Sequence, residues 1–532
     1  MDVLIIGGGI TGAGIARDAA MRGLRVTLVE RDDFAAGTSS RSSRLVHGGL
    51  RYLEHGNLRL VFEASRERRI LLRTAPHLVW PCSFLFPVFA GGRLSRVKLA
   101  AGLALYDLLA AFRNVGRHRW LSKRTLLRAE PGLRERGLKG GARYYDAQCD
   151  DARLTLATMR DAHRHGALVA NYTDVTQLEY ADGRVRGARV TDRLTGASLT
   201  VHAHVVVNAT GPWSDRIRND GRRMLRPTKG VHVVVPRKRV GNNEAVTLIS
   251  PLDGRVMFIL PWGDLTYIGT TDTDCEEIPE QVRASGDDVI YLLRSANAVF
   301  PDARLQPGDV ISTWAGLRPL VRPPADTDPS AVPREHTIVE HGGLLSIVGG
   351  KLTTYRAMAA EVVDRVSAAL HDLDGRRVPP RAATAETPLP GGEVRDLEIL
   401  VADAVREGVT EALARHLVRA YGSETPAVVR LAQSDRRLAE PIVPGHVAIR
   451  AELIHAIRRE MAMTLRDLLI RRTHVFHEIS GHGMQQAPEL VDLAAEELGW
   501  DAARKASELA AYLEEIELNN RFRDELTPHD TP

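Results

Sequence analysis

Three glycines near the start of the sequence are spaced as a phosphate-binding turn requires. Residues 7–12 fit the pattern G-x-G-x-x-G. Gly7 permits a tight turn, Gly9 lets the backbone approach a pyrophosphate, and Gly12 allows a helix to pack closely on a strand. The unpaired N–H groups and positive dipole end of the following helix then favour phosphate binding. These residues predict a site for a dinucleotide.

The flanking residues supply the elements that position this turn. Residues 3–6 form a short apolar run typical of a buried parallel strand, and the segment after the glycines reads as a helix that Gly23 ends. A second strand, residues 25–29, leads to Glu30. We expect the Glu30 carboxylate to accept both ribose hydroxyls, and an acid there disfavours NADP.

A hydroxyl-rich loop follows at the carboxyl end of the second strand, where ligands bind in open α/β sheets. We expect Ser39, Ser40 and Ser42 to line the dinucleotide. His47, followed by two glycines, places an imidazole where the backbone can approach a ring.

Composition limits the functional classes. A chain of 532 residues with 44% hydrophobic and 26% charged residues predicts two or three globular domains. A net charge of +4 gives no reason to expect a nucleic-acid partner. The three cysteines form no C-x-x-C pair, which excludes a four-cysteine iron–sulfur or zinc site and predicts a reducing compartment; we expect no metal. The fold begins at residue 2, so we expect no signal peptide and a cytoplasmic location.

One segment is distinctly basic: residues 91–140 hold 12 Lys and Arg against 3 Asp and Glu. Its longest apolar run, residues 99–112, is interrupted by Asp107 and is too short to span a bilayer. Within the segment, the apolar residues of 94–112 are flanked by Arg93, Arg96, Lys98 and Arg113. Two interpretations remain open, a helix lying on an anionic membrane surface and a core helix with a solvated basic flank.

The later chain alternates between strands and helices. An apolar strand runs into Ala209 and Gly211, and residues 225–320 are strand-rich; His232 there is interpreted as an ordinary satisfied strand residue. Residues 344–356 read as a strand, a Gly349-Gly350 turn and a helix. Residues 393–520 are nearly all helical after a Pro-rich linker at 379–392.

Three strings make the sequence resemble a known family. Residues 7–14 (Gly-Gly-Gly-Ile-Thr-Gly-Ala-Gly), residues 38–53 with His-Gly-Gly-Leu-Arg-Tyr-Leu, and residues 349–356 (Gly-Gly-Lys-Leu-Thr-Thr-Tyr-Arg) resemble the FAD-dependent glycerol-3-phosphate dehydrogenases. That family is a branch of the D-amino-acid-oxidase-like flavoproteins, and the resemblance extends to about residue 520.

The resemblance implies a fold of mixed α/β and α+β class. A Rossmann-like FAD-binding domain would be interleaved with an antiparallel-sheet substrate domain and followed by an all-α domain. The expected boundaries are 1–80, 145–225 and 335–378 for the FAD domain, 81–144 and 226–334 for the substrate domain, 379–392 for the linker, 393–520 for the helical domain and 521–532 for the tail.

The resemblance also assigns roles to residues. FAD contacts are expected from Gly7, Gly9, Gly12, Glu30, Ser39, Ser40, Ser42, Ala209, Gly211, Gly349, Gly350, Lys351, Leu352 and Thr353. Substrate contacts are expected from Arg51, Tyr52, Arg318 and Arg334, since a phosphate dianion favours forked cations. We favour His47 as the base that removes the substrate hydroxyl proton, with Lys351 as its rival and Arg51 also at the reacting centre. Arg471-Arg472-Thr473 resembles the family's helical domain and is a poor candidate for chemistry.

The implied activity is oxidation of sn-glycerol 3-phosphate to dihydroxyacetone phosphate by hydride transfer to FAD. Electrons would pass to a membrane quinone, with the protein bound peripherally to the membrane. The alternative is a soluble oxidase that uses oxygen and produces peroxide. A non-catalytic FAD scaffold and an NAD-dependent enzyme are both disfavoured, and a homodimer is left open.

Overall fold

A computed structural model describes residues 1–49, 57–92, 96–109, 115–218, 221, 223–322 and 336–526. The strands are β1 (Val3–Ile6), β2 (Val26–Val29), β3 (Leu45–Val46), β4 (Val79–Phe89), β5 (Arg119–Leu121), β6 (Leu138–Cys149), β7 (Leu168–Ala170), β8 (Thr173–Ala181), β9 (Arg184–Asp192), β10 (Ser198–His202), β11 (Val205–Asn208), β12 (Leu225–Pro236), β13 (Ala245–Ile249), β14 (Val256–Trp262), β15 (Leu265–Gly269), β16 (Thr273–Asp274), β17 (Ser312–Val321), β18 (His336–His341) and β19 (Leu344–Gly349).

The α-helices in the described residues are α1 (Ile10–Met21), α2 (Leu58–Thr74), α3 (Arg96–Leu109), α4 (Lys123–Ala129), α5 (Asp151–Arg164), α6 (Ser214–Arg218), α7 (Arg237–Val240), α8 (Gly286–Asn297), α9 (Tyr355–Asp374), α10 (Leu397–Arg406), α11 (Glu411–Tyr421), α12 (Thr425–Ser434), α13 (Arg450–Glu460), α14 (Val475–Glu478), α15 (Ala487–Leu498) and α16 (Ala502–Asn520).

The first sheet has the order β18-β19-β11-β1-β2-β7 within the described residues. β1 pairs in parallel with both β2 and β11, and β11 pairs in parallel with β19. All four residues of β1 and of β11 are buried, as expected of central parallel strands covered on both faces. The carboxyl ends of β1, β2, β11 and β19 therefore meet at one edge, where ligands bind in such sheets.

The turn between β1 and α1 explains the glycine pattern. Gly7 has φ +111°, a conformation that residues with a side chain rarely adopt. A Cβ atom at Gly12 would lie 1.9 Å from the Gly7 carbonyl oxygen, so only glycine lets α1 pack this closely on β1. The buried face of α1 then packs against α5 and α9, which share one apolar core with the sheet.

A second, mostly antiparallel sheet faces the first across a cleft. Its described strands follow the order β16-β12-β15-β14-β13-β4-β6-β3, with β17 on β12 and β5 on β6. An apolar core fills the space between this sheet and α8. The strands β8, β9 and β10 form a separate antiparallel sheet.

The chain ends in a helical domain, α10 to α16, with its own apolar core. The segment 379–392 before it is irregular but held in place, because the buried Arg17 guanidinium donates to the carbonyls of Thr384 and Thr387. The mixed α/β and α+β fold with a helical C-terminal domain is confirmed. The domain boundaries stay a prediction, and β6 crosses the one at 144/145.

Asp150 caps α5, since its carboxylate accepts from the Arg153 N–H at 3.0 Å. The basic apolar segment contains α3, whose Leu99, Leu103 and Tyr106 are buried whereas Val97 is 77% exposed. Of the predicted tail, residues 521–526 are described, and Phe522 is buried in the core beside α8. Residues 527–532 lie outside the described residues.

Candidate active site

A cleft of about 1350 Å³ lies where the carboxyl edge of the first sheet meets the second sheet. This volume exceeds the usual range for sites of small ligands, roughly 300–1,000 Å³, and suits a dinucleotide together with a small substrate. The predicted cofactor residues that line it are Gly7, Gly9, Glu30, Ser39, Ser40, Ser42, Ala209, Gly211, Gly349, Gly350, Lys351, Leu352 and Thr353. Gly12 lies beneath the turn, against Gly7.

The phosphate end of the cleft is formed by the α1 N-terminus and the loop after β2. The Ser39 hydroxyl accepts from the Ile10 N–H at 2.9 Å, which fixes the loop beside the first turn of α1. Ser40 donates to the Ala35 carbonyl, and Ser42 donates to the buried Asp151 carboxylate at 2.6 Å. The loop is therefore held by its own hydroxyls and by α5 rather than being a flexible linker.

Glu30 occupies the end of β2, as predicted. Its carboxylate accepts from the N–H groups of Gly8 at 2.6 Å and Asp32 at 2.9 Å. Burial outweighs these hydrogen bonds and raises the pKa of Glu30 to about 7. The side chain is thus fixed at the cleft edge.

The two base candidates are brought together. His47 lines the cleft, and its backbone N–H donates to the Thr353 hydroxyl at 3.2 Å. Lys351 lines the same cleft two residues before Thr353. The β19–α9 turn and the His47 loop therefore form one wall, and both rival residues reach it.

Helix α3 is hydrogen-bonded to this wall and also lines the cleft. The Tyr106 hydroxyl accepts from Arg68 at 2.7 Å and donates to the Asp146 carboxylate at 2.9 Å. The same Asp146 oxygen accepts from the Gly48 N–H at 2.9 Å, next to His47. Lys98, Leu99, Ala101, Gly102 and Leu105 of α3 line the cleft. Neither sequence interpretation of this segment predicted that role.

His232 was predicted to be an ordinary strand residue, and its position in the structure is more specific. It lines the cleft, is 2% exposed, and stacks on Trp314 with ring centroids 5.1 Å apart. Its Nε2 lies 2.9 Å from the Ser43 hydroxyl. Burial, with Arg318 and Arg44 nearby, lowers the pKa of His232 to about 3, so the imidazole is neutral at physiological pH.

The sequence feature that could have identified the specific position of His232 is a glycine, Gly269, on the neighbouring strand. A Cβ atom at Gly269 would lie 2.1 Å from the His232 ring, so β15 must approach the imidazole closely. That pairing, His232 with Gly269 across β12 and β15, is evident only once the strand register is known.

The cationic end of the cleft is built around Asp272. Its carboxylate accepts from Arg318 at 2.9 Å, and its carbonyl accepts from Arg255. Both arginines line the cleft, and the sequence analysis had not singled out Arg255. The predicted substrate residues Arg51, Tyr52 and Arg334 lie outside the described residues.

The C-terminal domain supplies another wall. Arg471 lines the cleft and donates to the buried Asp33 carboxylate at 2.6 Å, and Arg472 pairs with the same carboxylate at 2.7 Å. These two arginines hold the pKa of Asp33 below its usual value against the effect of burial. The Arg-Arg-Thr segment, predicted to be a poor candidate for chemistry, has an architectural role at the site.

Two negative findings apply to the described residues. They contain no group of three or more His, Cys, Asp or Glu that could hold a metal ion. None of their helices has the length and apolar character needed to cross a membrane.

Comparisons with known proteins agree with this geometry. Residues 2–356 match the family profile described as FAD dependent oxidoreductase, and residues 382–505 match that of the C-terminal domain of alpha-glycerophosphate oxidase. Glycerol-3-phosphate dehydrogenase 2 of Mycobacterium bovis is 42% identical over 97% of this chain and 88% of its own length. The aerobic glycerol-3-phosphate dehydrogenase of Staphylococcus aureus is 38% identical over 97% and 93%.

A solved structure supports the same conclusion. The glycerol-3-phosphate dehydrogenase from Bacillus halodurans complexed with FAD superposes with a TM-score of 0.81 at 34% identity, over 99% of this chain and 96% of that one. The cofactor of this protein is FAD. The glycine turn, Glu30 and the size of the cleft fit that cofactor. The chain belongs to the FAD-dependent glycerol-3-phosphate dehydrogenase family.

Proposed function

We propose that this protein oxidises sn-glycerol 3-phosphate to dihydroxyacetone phosphate and passes the electrons to a membrane quinone. The observation that carries the proposal is the arrangement of one cleft: a dinucleotide site, two base candidates on one wall, and a pair of arginines around Asp272. The full-length relatives are named for glycerol 3-phosphate.

Bound FAD supplies the hydride acceptor. In our proposal Arg318 binds the substrate phosphate, with Arg255 as a second cation, because forked guanidinium groups suit phosphate oxygens. Arg51, Tyr52 and Arg334 remain proposed substrate contacts from the sequence. His232, neutral and fixed against Trp314, borders the substrate space and can exchange a hydrogen bond with a substrate hydroxyl.

His47 is our proposed base for the substrate hydroxyl proton. Its ordinary pKa is close to physiological pH, which is where a general base works best. Lys351 is the rival, either as a base or as a cation that stabilises the developing alkoxide. Comparing the rate–pH profiles of His47→Gln and Lys351→Met separates the two. We expect His47→Gln to lower kcat by about 10²–10⁴-fold and remove the limb near pH 6–7, and a profile that keeps this limb would assign the proton to another group.

The substrate is tested by adding glycerol 3-phosphate to the purified flavoprotein without oxygen. Bleaching of the flavin absorbance is expected, and a flavin that stays oxidised would refute the substrate assignment. Arg318→Gln should raise KM strongly for glycerol 3-phosphate, with little change for unphosphorylated glycerol. An equal rise in KM for glycerol 3-phosphate and for glycerol would exclude a phosphate-specific role of Arg318.

The electron acceptor is tested on the bleached enzyme. Rapid recovery of the oxidised flavin with a ubiquinone analogue, and slow recovery with oxygen, is expected of a quinone-linked dehydrogenase. Recovery by oxygen at turnover rate with peroxide formation would establish the oxidase instead. That alternative is kept because the C-terminal profile is described for an alpha-glycerophosphate oxidase.

Helices α2 and α3, which pack against each other, support the proposed membrane contact. Leu58 is 44%, Phe62 53% and Val97 77% exposed, and basic residues flank them. Apolar side chains among basic ones are typical of a surface that binds anionic lipid. The double variant Phe62→Glu and Val97→Glu should lose binding to anionic vesicles yet keep activity with a soluble acceptor. Unchanged vesicle binding would remove this surface from the proposal.

A further inference from the structure

Arg41, in the hydroxyl-rich loop, lines the cleft without an anionic partner among the described residues. The Arg41 guanidinium forms no hydrogen bond or ion pair with any described residue, although it lines the cleft. Most other cleft arginines are paired: Arg31 and Arg216 with Glu280, Arg193 with Asp32, Arg318 with Asp272, and Arg471 with Asp33. Arg466, from the C-terminal domain, also lines the cleft without such a partner. A partly buried cation is costly unless an anion meets it.

The backbone of Arg41 is fixed on both sides. Its N–H donates to the Thr38 carbonyl at 3.1 Å, and the Thr38 hydroxyl in turn donates to the Leu317 carbonyl at 2.7 Å. On the other side, a Cβ atom at Gly316 would lie 2.6 Å from the Arg41 carbonyl oxygen. The residue is therefore held between the hydroxyl-rich loop and β17, and its location in the cleft is determined by the fold.

That location adjoins the phosphate-binding turn. Ser39, two residues before Arg41, accepts from the Ile10 N–H at the start of α1. Arg41 follows Ser39 by two residues on this loop and lines the same cleft. An anionic group bound at the helix N-terminus would therefore have a guanidinium of the same loop as a further binding group.

The surroundings of Arg41 add to the case. Burial, and the nearby Arg283 cation, lower the pKa of the Arg41 guanidinium, and Glu515 only partly offsets them. Arg283 lies 3.6 Å from the Glu515 carboxylate, which α16 contributes. Arg471 is a further cation near Arg41, and Asp32 is a further anion. A diphosphate ligand would give the Arg41 guanidinium the anionic partner that the described residues do not place at hydrogen-bonding distance.

We propose that Arg41 binds the pyrophosphate of FAD, alongside the N-terminus of α1. This contact belongs to the cofactor site and does not depend on the identity of the substrate. It also gives the hydroxyl-rich loop a charged member, in addition to the serines that the sequence singled out.

The test compares ligands with and without the diphosphate on the apoenzyme. FAD, ADP and adenosine are titrated into the wild type, Arg41→Gln, and the control Arg239→Gln. The control removes one equal charge from an exposed pair with Asp309. A lost charge-assisted hydrogen bond predicts that Arg41→Gln weakens FAD and ADP by about ten- to a hundredfold. Adenosine binding should be unchanged, and the control should behave as wild type.

Further readouts separate phosphate binding from a structural role. Apo Arg41→Gln should unfold at the wild-type temperature, and only the stabilisation gained on adding FAD should shrink. The salt dependence of ADP binding should also weaken. Either of two results would overturn the proposal: wild-type affinity for ADP in Arg41→Gln, or a loss of adenosine affinity as large as the loss of ADP affinity. If Arg41→Gln does not fold, Arg41→Lys and Arg41→Met are judged by the same ratio of ADP to adenosine affinity.

Discussion

Two walls of the same cleft are built in different ways. The glycine turn depends on neighbours in sequence: Glu30 binds the Gly8 N–H, 22 residues away, and Gly12 contacts Gly7. The wall that the helical domain contributes depends on Arg472 binding Asp33, 439 residues away. The glycine turn can be predicted from the residue types and their spacing in the sequence. An ion pair between residues far apart in the sequence can be identified only from the folded structure. The comparison predicts that damage to each wall will have a distinct signature.

The largest effect is expected at Asp33. Replacing it by Asn leaves Arg471 and Arg472 without the carboxylate that they share, and breaking a buried ion pair costs about 3–5 kcal/mol. Denaturant unfolding should show this loss, and the C-terminal domain should become protease-sensitive. As a control, Glu497→Gln breaks an exposed pair with Arg458 and should cost less than about 1 kcal/mol. Equal costs for the two variants would contradict the role given to the Asp33 pair.

Two glycine variants should separate folding from cofactor binding in the first wall. Gly12→Ala places a Cβ 1.9 Å from the Gly7 oxygen, so we expect about 3 kcal/mol of destabilisation and loss of FAD. Gly9 has φ −75°, and a Cβ there would lie 3.1 Å from the Ser39 oxygen, so Gly9→Ala should fold. Its methyl group would still obstruct the pyrophosphate. Thermal unfolding of the apoenzyme and FAD titration test this, and an unfolded Gly9→Ala apoenzyme would contradict it.

What could be predicted from sequence follows the same division. The β1 strand, the glycine turn and the position of Glu30 each depend on residues close in the chain, and local patterns sufficed to predict them. His232 was interpreted as an ordinary strand residue because its specific environment, stacked on Trp314 and closely approached by Gly269, is formed by residues of neighbouring strands. Neither the register of paired strands nor the stacking of rings between them can be predicted from residues adjacent in the sequence.

The helical domain and α3 illustrate the same limit. The sequence predicted that residues 393–520 form helices, but nothing local indicated that Arg471 would reach the cleft. For α3, a basic apolar helix allowed a membrane or a core interpretation. Leu99 and Leu103 do join a buried core, and the membrane contact stays a proposal. Nothing local indicated the hydrogen bond from Tyr106 to Asp146. Arg51, Tyr52 and Arg334 stay predictions.

An intermediate effect is expected at Tyr106, whose hydroxyl joins α3 to the His47 loop. Tyr106→Phe removes hydrogen bonds with Arg68 and Asp146 without changing the shape of the ring, at a cost of about 1 kcal/mol. Because Asp146 also holds the Gly48 N–H, kcat should fall more than FAD affinity does. The measurement is steady-state kinetics with FAD titration on the same preparation. Reduced FAD affinity with unchanged kcat would show that α3 supports the cofactor rather than the His47 loop.

The smallest effect is a pH dependence confined to the helical domain. Burial disfavours the charged form of His416, but the charge and hydrogen bonds of Glu452 outweigh it and raise the pKa of His416. Glu478 acts in the same direction, and Arg153 opposes it. The protonated imidazole therefore stabilises the fold fully below the ordinary pKa near 6.5, and this contribution is lost as the pH rises through the raised value.

We accordingly expect the free energy of unfolding to fall as the pH rises above roughly 6.5, and His416→Gln to flatten that fall. Urea unfolding at several pH values, followed by a probe in the helical domain, measures it. His202→Gln, at an exposed position on β10, serves as the matched control and should keep the wild-type slope. FAD affinity should follow the wild-type pH profile in both variants, because His416 stabilises the helical domain from within and lies apart from the cleft lining. A pH-dependent loss of FAD in His416→Gln would show that the two walls are energetically coupled, so that weakening the helical domain also weakens the wall built from neighbours in sequence.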